Sequence, residues 1–381
     1  MVPRAGLEPA RPHQTQDFES SASTNSATGA TSKDCKDIQK NLLLYIMTIQ
    51  EALASHKQIF IICDRNVEGF ARFLGDYPLL AIDTSEELKT MDSVLGICRW
   101  LLEQGEDRGA LVLAAGGVVT TDMARFAASI YKRCIDYANI PTTLLAQVDA
   151  SIGGKTGVNL DSYKNILGSF RQPEFTYIFP DVLRSLPRRE FLSGAAEMLK
   201  SFIIKNVNGG YERTVRLIGE YARGGANQAC SAEGLTELSA LIQEASNVKQ
   251  DIVDKDPLEK GERRKLNLGH TWGHAIEWWQ NTAAAEGRQF SHGEAVAIGI
   301  VQAARRSEEL GIAEKGLAAK LKADFESCGL PTELPCPESE LFKAMEKDKK
   351  AEGGKVRFVL PVKIGKVVVK SLPIIVNLQP K

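Results

Sequence analysis

The sequence predicts an α/β N-terminal part followed by a mostly helical C-terminal part. Two changes of pattern carry that reading. From Lys57 short apolar runs alternate with helical periods, as parallel strands joined by helices do. After Pro187 the apolar spacing turns helical and stays so for most of the remaining chain. A third observation is chemical: three of the five histidines fall between His270 and His292, inside the helical part.

With 381 residues the chain is long enough for two domains. Its net charge of -1 and pI near 6.6 argue against a nucleic-acid-binding surface, which needs a basic field. No apolar stretch reaches membrane-spanning length. The seven cysteines are odd in number and form no CxxC pair. That suits a reducing cytoplasm, without a disulfide framework or a cysteine metal cluster. Residues 1–32 are rich in Ser, Thr, Ala and Pro and have too little apolar periodicity to bury a core. They lack the apolar centre of a secretory signal, and Glu8, Asp17 and Glu19 suit a mitochondrial presequence poorly. They are expected to be a disordered or spurious extension, with the natural start near Met47.

Residues 58–63 read as a buried parallel strand ending in the polar Asp64-Arg65-Asn66. Residues 79–82 read as a second strand, 91–102 as a helix and 109–115 as a third strand. That strand runs into Gly116-Gly117-Val118, and residues 123–132 read as the next helix. A strand, a glycine turn and a helix N-terminus together can hold an anion, because unpaired N–H groups and the helix dipole face it. A plain tight turn would use the same glycines. Residues 140–165 are denser in chemistry: Thr142 and Thr143, then Asp149, then Gly153-Gly154-Lys155, then Lys164-Asn165. Hydroxyls, a glycine pair and lysines on short loops suit a polyanionic substrate and a dinucleotide. A solvated polar loop is the plainer alternative, although buried-type sequence flanks this segment on both sides.

In the helical part, Glu197 stands among small and apolar neighbours and needs a partner, which a metal would supply. Residues 235–253 form an amphipathic helix carrying Lys249. Residues 311–381 give further helices and a late strand at 356–361. His270 and His274, four apart, share one helix face. His292 follows a polar loop and opens a second apolar run, 295–304, so two helices can aim imidazoles at one point. Neutral imidazoles so arranged suit a zinc-type ion, and a carboxylate from elsewhere would complete an open site. Surface or capping histidines are the alternative; Arg263 and Asn267, one turn apart just upstream, favour the site.

Five motifs occur in order: IPTTLLAQVDASIGGKTGVN, KNILGSF, SLPRREFLSGAAEMLK, RRKLNLGHTWGHAIE and SHGEAVAIG. Together they resemble the 3-dehydroquinate synthase family of sugar phosphate cyclases, from about Asp64 to Lys350. The resemblance implies an NAD-binding α/β domain over 33–178 and a helical metal- and substrate-binding domain over 179–381, with the active site in the cleft between them. It implies Glu197, His270 and His292 as ligands of a divalent zinc or cobalt ion. Glu259 and His274 match proton-transfer positions. Arg133, Asp149, Lys155, Asn165, Lys200, Lys249, Arg263 and Asn267 match substrate positions, as does Lys349 or its neighbour Lys350. Asp64, Asn66, Glu86, Lys89, Gly116, Gly117, Asp122, Thr142, Thr143, Lys164 and Ser185 match NAD positions. The implied reaction turns 3-deoxy-D-arabino-heptulosonate 7-phosphate into 3-dehydroquinate and phosphate, in the shikimate route to aromatic amino acids. Its partner is a small phosphorylated sugar acid, with neither nucleic acid nor membrane, and a homodimer is left open. The alternatives are a 2-deoxy-scyllo-inosose or valiolone-type synthase, a metal-dependent polyol dehydrogenase, and a catalytically silent binding protein.

The chain departs from the family pattern at four glycines, replaced here by Ser85, Val118, Arg125 and Cys134. A side chain where φ is positive or the backbone approaches closely costs on the order of 1 kcal/mol. Weakened NAD binding is therefore expected, with Val118→Gly restoring it; the Arg125 guanidinium could instead reach a phosphate itself. Removal of residues 1–32 should leave the melting temperature unchanged. A marked fall in thermal denaturation would show that the segment docks on the fold.

Overall fold

A computed structural model describes residues 47–105, 108–161, 163–224, 232–282, 289–349 and 356–373. Residues 1–32 and Lys350 lie outside the described residues, as does the side chain of Lys349. The α/β part is a four-stranded parallel sheet: β1 (Ile59–Asp64), β2 (Leu79–Ile82), β3 (Leu111–Gly116) and β4 (Asp136–Pro141), in the order β2-β1-β3-β4. β1 and β3 are buried nearly end to end. Their unbroken apolar runs follow from packing on both faces, where alternation would leave polar groups inside. Ile59 pairs with Leu111, and Leu111 with Asp136. That register brings Asp64, Gly116 and Pro141 to one edge, where open α/β sheets bind ligands.

The Met91–Gln104 helix starts at Thr90, whose hydroxyl accepts from the Ser93 N–H at 3.3 Å, and ends at Gly105 with φ of 70°. The next helix, Val118–Ile130, begins five residues before the sequence pattern suggests. Gly117 caps it without a side-chain hydrogen bond, so residue type gives little warning of its start. Past Ile130 the chain turns left-handed through Lys132 (φ 45°), Arg133 (φ 69°) and Cys134 (φ 123°).

This corrects the expectation at three of the four substituted glycines and bears it out at Cys134. Ser85 has φ of -136°, and Val118 and Arg125 are ordinary helical residues absent from the left-handed positions. The strain falls on Cys134, where a helix end and a strand start force the backbone round. There is accordingly no backbone-strain reason at Val118 for weak NAD binding.

A hairpin of β5 (Lys155–Leu160) and β6 (Tyr163–Phe170) follows, with Lys155 at its open end and Lys164-Asn165 near its turn. The helical part is built around the Arg188–Ile204 helix, buried without a break from Phe191 to Ile204. Around it stand the helices Gly210–Gly224, Ala232–Lys255, His270–Thr282, His292–Glu309, Leu317–Ser327 and Glu338–Lys349, and the hairpin of β7 (Val356–Lys363) and β8 (Lys366–Leu372). A capping box starts the His292–Glu309 helix: the Ser291 hydroxyl accepts from the Glu294 N–H, and the Glu294 carboxylate accepts from the Ser291 N–H at 2.7 Å. Gly293 lets this helix touch the central one, since a Cβ there would lie 2.1 Å from the Ser193 carbonyl oxygen. Among the described residues no helix is long and apolar enough to cross a membrane.

Replacing Cys134 by glycine should raise stability by about 1 kcal/mol, because glycine adopts its φ without cost. Chemical denaturation reads the change. An unchanged or lower midpoint would show that the contact between the Cys134 thiol and the Arg171 guanidinium outweighs the strain.

Candidate active site

The central helix buries Glu197 completely. Neither carboxylate oxygen accepts a hydrogen bond, although Oε2 lies against the Lys200 ammonium. Oε1 is 3.6 Å from His292 Nε2 and 4.0 Å from His270 Nε2. These separations are long for hydrogen bonds. They approach the ~3.4 Å expected between two ligand atoms sharing a tetrahedral ion at about 2.1 Å. The imidazoles are turned to suit. His270 Nδ1 donates to the Leu268 carbonyl at 3.1 Å, and His292 Nδ1 donates to Glu277 Oε1 at 3.2 Å. Each Nε2 lone pair is thereby left facing Glu197. A buried carboxylate whose Oε1 has no hydrogen-bond partner and two aimed imidazoles form a donor set that fits a divalent zinc or cobalt ion.

Burial, reinforced by the Lys200 charge, holds His270 well below its ordinary pKa, so it stays a neutral donor. Burial would lower His292 as well, but the Glu277 hydrogen bond and the Glu277 and Glu197 charges outweigh it and raise the net value. Burial pushes Glu277 up; His292 and Lys164 more than reverse this and keep it ionised. His274 lies exposed on the same helix face, its ring 5.3 Å from that of His270 and 6.4 Å from that of His292.

Beneath the triad the charges alternate. Lys249 Nζ is 2.9 Å from Asp149 Oδ1, and Lys200 Nζ is 3.7 Å from the same oxygen. Burial opposes Asp149 ionisation, and the two ammonium groups overcome it, holding the carboxyl far below the usual range. Lys200 loses to burial but gains more from Asp149 and Glu197, so it rises. For Lys249 burial wins and the value falls.

To one side, Glu259 contacts the Lys155 ammonium and accepts from Asn267 Nδ2 at 2.6 Å. Burial raises its carboxyl, and these two partners lower it further than that, leaving it ionised. Arg263, buried, donates to the Pro257 carbonyl.

At the sheet edge, Asp64 accepts from the Thr84 hydroxyl at 2.6 Å and from the Asn66 N–H at 2.8 Å. Glu86 accepts from Asn159 at 2.8 Å. The Lys89 ammonium donates to Asp122 at 2.7 Å and to Asn165 at 2.6 Å. The uncapped start of the Val118–Ile130 helix offers its first N–H groups. A Cβ on Gly116 would fall 2.5 Å from the Thr120 hydroxyl, which is buried without a hydrogen-bond partner. Thr142 and Thr143 close the turn: the Thr142 N–H donates to the Gly116 carbonyl at 3.0 Å, and a Cβ on Gly117 would lie 3.0 Å from Thr143. Open N–H groups, an orphaned hydroxyl and a cradle only glycine leaves open fit the pyrophosphate of NAD.

Some expected residues stand elsewhere. Arg133 is in the left-handed turn before β4, at the end of the sheet away from Gly116. Ser185 donates to Val182 inside its own turn, and Lys164 pairs with Glu277 at 3.1 Å, on the histidine side. One residue, Glu277, is absent from the sequence-based site, and another, Arg125, has a different partner from the one expected. Glu277 orients His292, and its signal was present: residues 270, 274 and 277 lie on one helix face. Arg125, marked in the sequence as a substituted glycine that could reach a phosphate, instead binds the loop that carries Lys155.

His270→Ala and His292→Ala should each lose the bound metal, and Glu277→Gln should weaken metal retention about tenfold or more by releasing the His292 ring. Elemental analysis of the purified variants decides; a variant holding stoichiometric metal would leave the ligand set or its support.

Two family patterns match in sequence order: 3-dehydroquinate synthase N-terminal over residues 79–193, and 3-dehydroquinate synthase C-terminal over 194–351. The 3-dehydroquinate synthase of Pyrococcus abyssi is 41% identical over 300 residues, covering 78% of this chain and 83% of that one. That of Acidithiobacillus ferrooxidans is 42% identical over 297 residues, covering 77% and 78%. Among solved structures, the 2-epi-5-epi-valiolone synthase of Streptomyces hygroscopicus, with NAD+ and Zn2+ bound, superposes with a TM-score of 0.71 at 27% identity, covering 82% and 86%. A 2-deoxy-scyllo-inosose synthase, complexed with carbaglucose-6-phosphate, NAD+ and Co2+, gives 0.72 at 24% identity, covering 84% and 88%, and shares the fold. With both halves matched in order across residues 79–351, the chain belongs to the 3-dehydroquinate synthase family.

Proposed function

We propose that the protein converts 3-deoxy-D-arabino-heptulosonate 7-phosphate into 3-dehydroquinate and phosphate, using NAD and a divalent zinc or cobalt ion. The observation that carries this reading is the union of an imidazole–carboxylate triad with two buried lysines and Asp149 beneath it. Relatives 41% and 42% identical carry the dehydroquinate name, whereas the other cyclases stand at 27% and below, which favours this substrate over theirs. We assign residues 33–178 to NAD binding and 179–381 to the metal and substrate. We also assign the protein to the cytoplasm, in keeping with free thiols at Cys63, Cys98, Cys134, Cys328 and Cys336.

When bound, NAD takes up and returns a hydride, and the ion polarises the reacting hydroxyl. The protein's own groups do the rest. Lys155 and Arg263 are the charges for the substrate's carboxylate and phosphate, and with Asn165 and Asn267 they limit rotation between steps. Asp149, fixed by Lys200 and Lys249, is an ionised acceptor for a substrate hydroxyl. Glu259, ionised and held by Lys155 and Asn267, accepts a proton, and the exposed His274 passes one to solvent.

The test is phosphate release from the heptulosonate phosphate with NAD well below substrate concentration. Release should continue for many turnovers per NAD, and Glu259→Gln should lower kcat roughly 10²–10⁴-fold with metal content unchanged. No release from this substrate, together with release from another sugar phosphate, would move the protein to a sister activity.

A further inference from the structure

We infer that Arg125 is a positioning residue for the loop of residues 150–155, and through it for the substrate side of the site. Its side chain is fully buried. Nη1 donates to the Ala150 carbonyl at 2.9 Å, and Nη2 donates to Gly153 at 2.9 Å and to Lys155 at 2.7 Å. Its carbon Cζ lies 5.8 Å from the centre of the Tyr137 ring. A planar fork of donors can bind three carbonyls along one loop at once in a fixed geometry. This also corrects the idea that Arg125 reaches a cofactor phosphate: its terminal nitrogens are spent on the loop.

What the loop touches explains why this matters. Gly153 has φ of 85°, and a Cβ there would lie 3.1 Å from Val253 and 3.3 Å from Arg263 Nη2. The loop is thus wedged between Arg125 on one side and the Ala232–Lys255 helix and Arg263 on the other. Its last residue is Lys155, whose ammonium meets Glu259. If the guanidinium is removed, the loop can shift, and Lys155, Glu259 and Arg263 lose their common register. The NAD side has its own support. Asp122 is 3.9 Å from Arg125, but Lys89 holds it at 2.7 Å. The position that reads as glycine in the family pattern has here become a clamp on the substrate loop.

This inference rests on the proposed phosphate-releasing activity, so two readouts are needed. Arg125→Lys and Arg125→Met are compared with the wild type in the full chain. Both should raise KM for the heptulosonate phosphate about tenfold or more, since small misplacements at such sites carry large kinetic costs. The NAD dissociation constant should stay within about twofold, and the lysine variant, keeping one cationic donor group, should be the milder. Amide hydrogen exchange should quicken across residues 150–155 ahead of the rest of the sheet. A wild type that releases no phosphate would sink the functional reading and leave exchange to judge the clamp. Unchanged loop exchange in a folded variant would overturn the inference. So would a KM within twofold of wild type, or NAD affinity falling in step with KM. Should the methionine variant fail to fold, the lysine variant decides alone.

Discussion

The rest of the structure depends on the burial of Glu197. Its carboxylate sits mid-helix in a segment closed off from water on every face, and neither oxygen accepts a hydrogen bond. An uncompensated charge there costs several kcal/mol. Lys200 answers it from one turn on, and Asp149 and Lys249 continue the alternation, so the four charges cancel in sum. Cancellation does not settle the other side of the carboxylate. Two imidazole Nε2 atoms face Oε1 at 3.6 and 4.0 Å, and lone pairs so placed repel the carboxylate unless a proton or a metal cation lies between them. The triad is therefore best understood as a cation site whose cost is met when the ion binds.

That requirement shapes the packing. The Arg188–Ile204 helix has to be central, because only the middle of the helical part excludes water from Glu197. The His292–Glu309 helix then has to press on the central one, which Gly293 permits at Ser193, and on the His270–Thr282 helix, which Gly299 permits, since a Cβ there would lie 2.0 Å from the Gly269 carbonyl oxygen. His292 has to be the first residue of its helix, which the Ser291–Glu294 capping box fixes. Each of these is a short-range rule, and each is satisfied by residues within a few positions of the ligand it serves.

Short-range rules are also what made much of the protein legible. Unbroken apolar runs gave β1 and β3, and the four-residue histidine spacing gave one helix face. The failures were of another kind. Gly117 caps its helix without a side chain, so the sequence pattern points to a start five residues after the true one. Of the four substituted glycines only Cys134 has a positive φ, because φ is set by where helices end and strands begin, and residue type alone does not tell Cys134 from Val118. Arg125 binds carbonyls 25 to 30 residues away, and Glu277 meets Lys164 across 113 residues. Partners at such distances along the chain leave no local pattern to read.

The link between the two halves of the site is itself local, and it lies in β6. Lys164 and Asn165 are consecutive, and successive residues of a strand point to opposite sides. Lys164 reaches Glu277, which holds His292 and so the triad. Asn165, with a left-handed φ of 54°, turns to accept from Lys89, which is 2% exposed and also holds Asp122 at the sheet edge. One dipeptide thus divides its two side chains between the ion site and the nucleotide edge. In the proposed reaction a bound nucleotide and a bound ion would have to keep a fixed separation. A strand stiffened by its hairpin partner, with a charged contact at each side, fixes that separation more firmly than a loop would. Although β6 is largely exposed, with Tyr163, Ile166 and Phe170 standing open, Lys164 and Asn165 tie it on two sides to charged groups of the site.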